Sequence, residues 1–273
     1  FGMEYNLSYM NHYLSEQLNK EKNLYVLNSS KWLLNCGVSN AYNSKLWYLT
    51  KTPFSNNFFK QAIIDLSNLY GSTKGLSKKL LILDLDDTLW GGIVGEVGWK
   101  NLRVGGHDHL GEAFRDFQIQ IKSLKNQGII LAIVSKNDEA IAIEAINNHP
   151  EMILSMKDFV THRINWEDKA KNIVDIVNEL NLGLQSVVFL DDSPFERARV
   201  QEALPEVLVP ELPKDPTDYN TFLSKLRCFD TTNITEEDKI RADLYKSETK
   251  RTKLKQKLKS LSDWIKTLNL TIV

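Results

Sequence analysis

The stretch Lys79-Leu80-Leu81-Ile82-Leu83-Asp84-Leu85-Asp86-Asp87-Thr88 decides the fold. Four consecutive apolar residues ending in a carboxylate read as a strand buried on both faces, as in a parallel sheet covered by helices. Two further runs have the same character, Ile129-Ile130-Leu131-Ala132-Ile133-Val134 and Ser186-Val187-Val188-Phe189-Leu190. Helical periodicity fills the gaps. Ala113, Phe114, Phe117, Ile121 and Leu124 share one face of a helix expected over 110–126, and Gly128 stops it. A helix is expected from Asp138 to Asn148. Another runs from Asp168 to Leu182 on Ala170, Ile173, Val174, Val177 and Leu180, ended by Gly183. A helix starts near Pro194, and Val207-Leu208-Val209 is expected as an edge strand. This alternation implies an α/β fold, a doubly wound parallel sheet with right-handed crossovers.

The rest of the chain frames this centre. Of 273 residues, 42% are apolar and 10% aromatic, and the net charge is −1, which excludes a disordered polymer. No apolar run approaches a membrane span, and no signal peptide opens the chain. Cys36 and Cys228 cannot form a disulfide framework, so the expected setting is a reducing cytosol; a bacterial source is a separate expectation. Charge divides the chain into +3 over 1–75, −7 over 76–228 and +3 over 229–273. The expected organisation is an accessory lobe over 1–75, a catalytic domain over 76–228 and a helical segment over 229–273. In the accessory lobe, a small α/β unit, Asn23 to Leu27 is a strand candidate and 57–70 a helix candidate. From Thr235 one long charged helix is expected; its Lys250–Lys259 stretch reads as a solvated face or a docking surface for an acidic partner. The ends, Phe1 and Val273, look like cuts in a longer polypeptide.

The chemistry gathers at strand ends. In a doubly wound sheet the carboxyl ends of the strands line the ligand crevice. Asp84 stands at that mouth, and Asp86 can project into the same crevice as the chain turns. Two close carboxylates repel unless a cation or a shared proton compensates, and a hard cation such as Mg²⁺ is the economical solution. Ser135 ends the second run, Lys169 opens the helix before the third, and Asp191-Asp192 end the third. Acids, a hydroxyl and an ammonium on one rim are the set that phosphoryl transfer needs.

Asp84-x-Asp86-x-Thr88, Ser135, Lys169 and Asp191-Asp192, in this order, resemble the four motifs of the haloacid dehalogenase-like superfamily. The resemblance implies that Asp84 attacks phosphorus and that Asp86 protonates the leaving oxygen and then activates water. It implies that Ser135 binds phosphoryl oxygens and that Lys169 neutralises charge and orients Asp84. Mg²⁺ would be held by Asp84, the Asp86 carbonyl and an acid of the last pair, Asp192 ahead of Asp191.

Longer strings narrow the likeness. Asp84 through Glu96, Ser135-Lys136-Asn137, Asn165-Trp166-x-x-Lys169 and Phe189 through Arg197 are similar to the FkbH-like family, as is Phe229 to Tyr245. That family implies 1,3-bisphosphoglycerate as substrate and a glyceryl group loaded on the phosphopantetheine thiol of an acyl carrier protein in polyketide biosynthesis. With 46 residues between Thr88 and Ser135, one helix among them, little or no cap is expected over the site.

Further candidates for substrate contact are Thr88, Trp90, Lys136, Asn137, Arg163, Asn165 and Trp166, with Arg163 or Lys136 on a second phosphate. Trp90 and Trp166 suit a core as well as a pocket, and Arg163 suits pairing with a local acid. Cys36 and Cys228 are the available nucleophiles if an acyl-enzyme forms, although a free cysteine is usually a small buried hydrophobe. Two alternatives are a stand-alone phosphatase on a small phosphoester and a non-catalytic phospho-acceptor receiver, whose motif order differs. No phosphate-binding glycine loop is present, and the Lys-rich tail lacks the interleaved aromatics of a nucleic-acid binder.

Overall fold

The computed structural model describes residues 2–18, 20–21, 24–106, 108–230, 244–245 and 247. Of the helix expected from Thr235, only residues 244, 245 and 247 are described, and they are helical; the rest, including Lys250–Lys259, lies outside the described residues. The chain divides into two compact units, one over Phe1–Gly75 and one that begins at Leu76 and includes Phe229. Among the described residues no helix is long and apolar enough to cross a membrane.

The first unit is helical: α1 (Met3–Leu18), α2 (Ser29–Cys36), α3 (Val38–Ala41), α4 (Ser44–Thr50) and α5 (Asn56–Thr73). The 57–70 expectation falls inside α5. Asn28, Asn43 and Ser55 cap α2, α4 and α5 by accepting backbone N–H groups of the first turn. The small core is aromatic, with Phe54 stacked on Phe58 at 4.1 Å and Trp32 meeting Phe58 edge-on at 5.6 Å. The expected strand is not there. Residues 24–27 carry no regular structure, because no paired strand stands beside them, and Asn23 lies outside the described residues. The accessory lobe is therefore α rather than α/β in its described part.

The second unit holds β1 (Leu80–Leu83), α6 (Val94–Val97), α7 (His109–Asn126), β2 (Ile130–Ser135), α8 (Glu139–Asn148), β3 (Thr161–Ile164), α9 (Lys169–Glu179), β4 (Val187–Leu190), α10 (Pro194–Ala203) and α11 (Tyr219–Lys225). The four strands are all parallel in the order β3-β2-β1-β4. Alternation along β1 sends Leu81 and Leu83 to one face, against Phe114, Phe117 and Ile121 of α7. Leu80 and Ile82 face the other side, with Ile173 and Ile176 of α9 and Val200 of α10. Every residue of β1, β2 and β4 is buried, which is why those strands read as unbroken apolar runs.

Three details differ from the sequence reading. The strand β3, Thr161-His162-Arg163-Ile164, was not expected: it is the sheet edge, and its two middle residues are only half-buried. Val207-Leu208-Val209 makes a single bridge, Leu208 to Val188, because Pro205 and Pro210 remove backbone donors on either side. The helix expected to reach Leu182 ends at Glu179, and Asn181 takes a left-handed turn at φ 49°. Between β1 and β2 the described residues form α6, a 3-10 turn at Trp99–Asn101 and α7, with no separate folded unit inserted.

Candidate active site

The central place of β1 builds the site. Its neighbours are β2 and β4, so Asp84, Ser135 and Asp191 emerge side by side at the carboxyl edge. Lys169, the first residue of α9, is 3% exposed and reaches the same point. Its ammonium lies 2.6 Å from Asp191 Oδ2 and 3.1 Å from Asp84 Oδ2. Burial alone would lower the Lys169 pKa, but Asp84 and Asp191 together outweigh it and hold the side chain charged.

Asp84 has an asymmetric carboxylate. Oδ2 is fixed by Lys169, whereas Oδ1 is buried and has no hydrogen-bond partner among the described residues. Ser135 is near enough to favour the charged form without hydrogen-bond geometry to Oδ1. Desolvation dominates and pushes the Asp84 pKa up to about 6, against the pull of Lys169. Asp192 is raised to about 6 by burial first and then by the charges of Asp84 and Asp87. Oxygens of Asp84, Asp191 and Asp192 lie within 4.8 Å of one another. An orphaned buried oxygen inside an all-carboxylate cluster fits a hard divalent cation. Asp191 is already committed, to Lys169 and to the Ser193 N–H, which leaves Asp192 the more available of the pair.

Asp86 stands apart from that cluster. Its Oδ1 accepts from Trp90 Nε1 at 2.8 Å and from the Val94 N–H at 3.0 Å. Its Oδ2 accepts from Asn137 Nδ2 at 2.9 Å, and the same amide donates to Ser135 Oγ at 3.2 Å. Asn137, 5% exposed, therefore ties two strand-end groups together.

The other expected contacts sort themselves by their partners. Thr88 is fully buried and its Oγ1 accepts from the Asp192 N–H at 3.1 Å, so it braces the last acid pair. Trp90 is fully buried, and its indole N–H supports Asp86. Lys136 is paired with Glu196 at 2.6 Å. Arg163 is paired with Glu179 at 2.7 Å, and its guanidinium also donates to Thr161 and the His162 carbonyl. Asn165 exchanges side-chain hydrogen bonds with Asn172. Trp166 is 75% exposed. The Cys228 carbonyl accepts from the Lys78 N–H at the amino end of β1, roughly 20 Å of strand from Asp84, so the structure does not bring it to the acidic cluster. Cys36 belongs to the first unit, half-buried at the end of α2.

Two supporting residues escaped the sequence reading. Arg197 is 9% exposed and donates to the Asp191 and Asp192 carbonyls at 2.7 and 2.6 Å, clamping the loop that carries both acids. Its place one turn into α10, after Ser193-Pro194, was the available signal. Tyr219 donates to the Asp87 carbonyl at 3.0 Å from 132 residues away, and no local pattern marks it. Asp87 itself has φ 49°, a left-handed conformation held by that bond and by its Oδ1 accepting the Gly92 N–H at 2.7 Å.

No protein-family model matches the chain, and no curated protein does. Among solved structures, the chain is 40% identical to the N-terminal part of protein BF1531 from Bacteroides fragilis, described as containing a phosphatase domain complexed with Mg. The TM-score is 0.80, and the match covers 85% of this chain and 62% of that one, so the chain spans about three fifths of its relative's length. Looser similarities are to the haloacid dehalogenase domain of the effector Lem4 from Legionella pneumophila (15% identity, 55% of this chain, 93% of that one, TM-score 0.40). Another is to a haloacid dehalogenase family enzyme of Bacteroides thetaiotaomicron in a magnesium complex (13%, 55% and 100%, TM-score 0.38). The parallel sheet, its strand order and the 0.80 superposition identify the architecture as the haloacid dehalogenase-like Rossmannoid fold.

Proposed function

We propose that this chain is a Mg²⁺-dependent phosphatase with Asp84 as its nucleophile. The observation that carries the reading is the Asp84 carboxylate, anchored through one oxygen by Lys169 and left with the other buried and unbonded. Magnesium in the 40% identical phosphatase domain supports the same reading. Asp84 attacks the phosphorus of a phosphomonoester, the bond from phosphorus to the leaving oxygen breaks, and that oxygen takes a proton from Asp86. Water then attacks the same phosphorus, Asp86 receives its proton, and the bond from Asp84 to phosphorus breaks to release inorganic phosphate. Asp86 Oδ2 has a single donor, Asn137, and keeps room for that proton. Lys169 holds Asp84 against rotation, and Ser135 supplies a hydroxyl to the phosphoryl oxygens. Asp84, Asp192 and Asp191, with the Asp86 carbonyl that the resemblance implies, would hold Mg²⁺, which when bound would supply positive charge against the phosphoryl oxygens.

The finer reading follows the FkbH-like resemblance. The thiol of a phosphopantetheinylated acyl carrier protein displaces the acyl phosphate of 1,3-bisphosphoglycerate: a carbon–sulfur bond forms, the carbon–oxygen bond to phosphate breaks and the thiol proton leaves. The remaining phosphomonoester is hydrolysed at Asp84. Because Cys228 stands at the far end of β1, direct attack by the carrier thiol is the route preferred. The absence of an inserted unit between β1 and β2 among the described residues suits such a carrier. The test is intact-mass measurement of a holo carrier protein incubated with the chain, Mg²⁺ and 1,3-bisphosphoglycerate. An added glyceryl group supports transfer. An unmodified carrier with free phosphate reduces the function to a phosphatase on small esters. Asp84→Asn should abolish phosphate release in either case; turnover at the parent rate would refute the nucleophile.

A further inference from the structure

A cavity of about 330 Å³, lined in part by Asp87, is left unused by the chemistry above. Its apolar wall is Val97, Leu110, Phe114 and Pro216, and the backbone of Gly91 and Gly92 closes one side. Asp87 is the link to the site. It lines the cavity, follows Asp86 directly, and its charge acts on Asp192. The cavity is at the small end for ligand pockets, enough for a short organic group but not for a nucleotide.

The wall is prearranged. Gly91 and Arg103 exchange two backbone hydrogen bonds, 3.0 and 2.9 Å, which clasp the loop between them at its base. A Cβ on Gly91 would sit 2.8 Å from Phe114 Cε2 and 3.1 Å from Arg103 Cβ, so only glycine lets the clasp close on α7. The clasp fixes the backbone from which the Arg103 side chain springs. That side chain is the cation among the lining residues. Its ion pair with Asp108, at 3.6 Å, joins two well-exposed groups and is worth little. A guanidinium so placed binds a planar carboxylate through two parallel hydrogen bonds.

We infer that this cavity receives the leaving group of the phosphoester, and that Arg103 selects a leaving group ending in a carboxylate. The inference rests on the small-ester phosphatase reading for the position of phosphorus and not on carrier loading, whose glyceryl thioester has no free carboxylate; its test does not need turnover. Two esters differing in one group serve as probes, 2-carboxyethyl phosphate and propyl phosphate. Each is titrated calorimetrically, with Mg²⁺, into the full chain carrying Asp84→Asn. The carboxylate ester is expected to bind at least tenfold more tightly. Adding Arg103→Met should bring the two affinities to within about twofold, and Arg103→Lys should restore part of the preference. Equal affinities before Arg103 is changed, or a preference that survives Arg103→Met, overturn the inference. In the parent chain, the ratio of the two kcat/KM values should follow the same order, whereas a merely structural role for Arg103 would lower both esters alike. A binding preference without hydrolysis by the parent would uphold the cavity and sink the phosphatase.

Discussion

At the scale of the residue, the arrangement turns on one ammonium shared by two carboxylates. Lys169 is 3% exposed between Asp84 and Asp191, so its removal leaves buried acids uncompensated. Lys169→Met is expected to lower stability by about 3–5 kcal/mol in denaturant titration of the metal-free protein, and to abolish phosphatase turnover. A variant as stable as the parent would show that the ion pairs contribute nothing net. On the proposed mechanism Trp90 is a positioning residue of a different kind. Trp90→Phe removes the indole donor from Asp86 and keeps the ring in the core. A fall in kcat of about tenfold or more with KM near the parent value is expected, since the proton-transfer group loses orientation rather than substrate. The acids and the hydroxyl were legible in the sequence because each follows a strand end, and Lys169 because it opens the helix before the third apolar run, all in a fixed order. Arg197 and Tyr219 were not, because they act on backbone carbonyls of Asp191, Asp192 and Asp87, and such bonds leave no mark in local pattern.

At the scale of the element, the three fully buried strands announced themselves as apolar runs, whereas β3 did not. Its exposed edge position lets His162 and Arg163 stand in it, each paired with a glutamate. The turn before β3 carries a test of electrostatics. Burial would raise the Asp158 pKa, but the Ser155 N–H and the ammonium groups of Lys125 and Lys122 outweigh it and hold the carboxyl below its usual range. Because the folded pKa is depressed, the stabilisation is present above the unfolded value near 4 and is lost as pH falls through the lower folded value. Asp158→Asn should therefore cost about 1.5–3 kcal/mol at pH 7. The gap to the parent should narrow toward pH 3 in chemical denaturation, and a constant gap would contradict the account. The Gly91 clasp gives a steric counterpart. Gly91→Ala is expected to cost about 1–3 kcal/mol in thermal or denaturant unfolding, because Phe114 and Arg103 must give way.

At the scale of the whole molecule, the second unit has two cores of its own, one on each face of the sheet, and Tyr245 packs against one of them. The first unit has an aromatic cluster of its own and an α1 without a buried residue. That thin core explains why most of its helices were illegible: α1 and α4 bury nothing, so no apolar stripe marks them. We propose that 76–228 is the catalytic domain and that 1–75 is accessory to the chemistry. A chain beginning at Leu76 should then hydrolyse small phosphomonoesters with a kcat within a few-fold of the whole. Loss of activity in a folded truncation would assign 1–75 a part in the site.

The most direct test of the central claim is to look for phosphorus on Asp84. The chain is mixed with Mg²⁺ and a phosphomonoester it hydrolyses, quenched in turnover, reduced with borohydride and mapped by peptide mass spectrometry. Borohydride converts an aspartyl phosphate to homoserine, and the account places that change at position 84 and at no other acid, dependent on substrate. Phosphate release with Asp84 unmodified, or the mark on another residue, would contradict it.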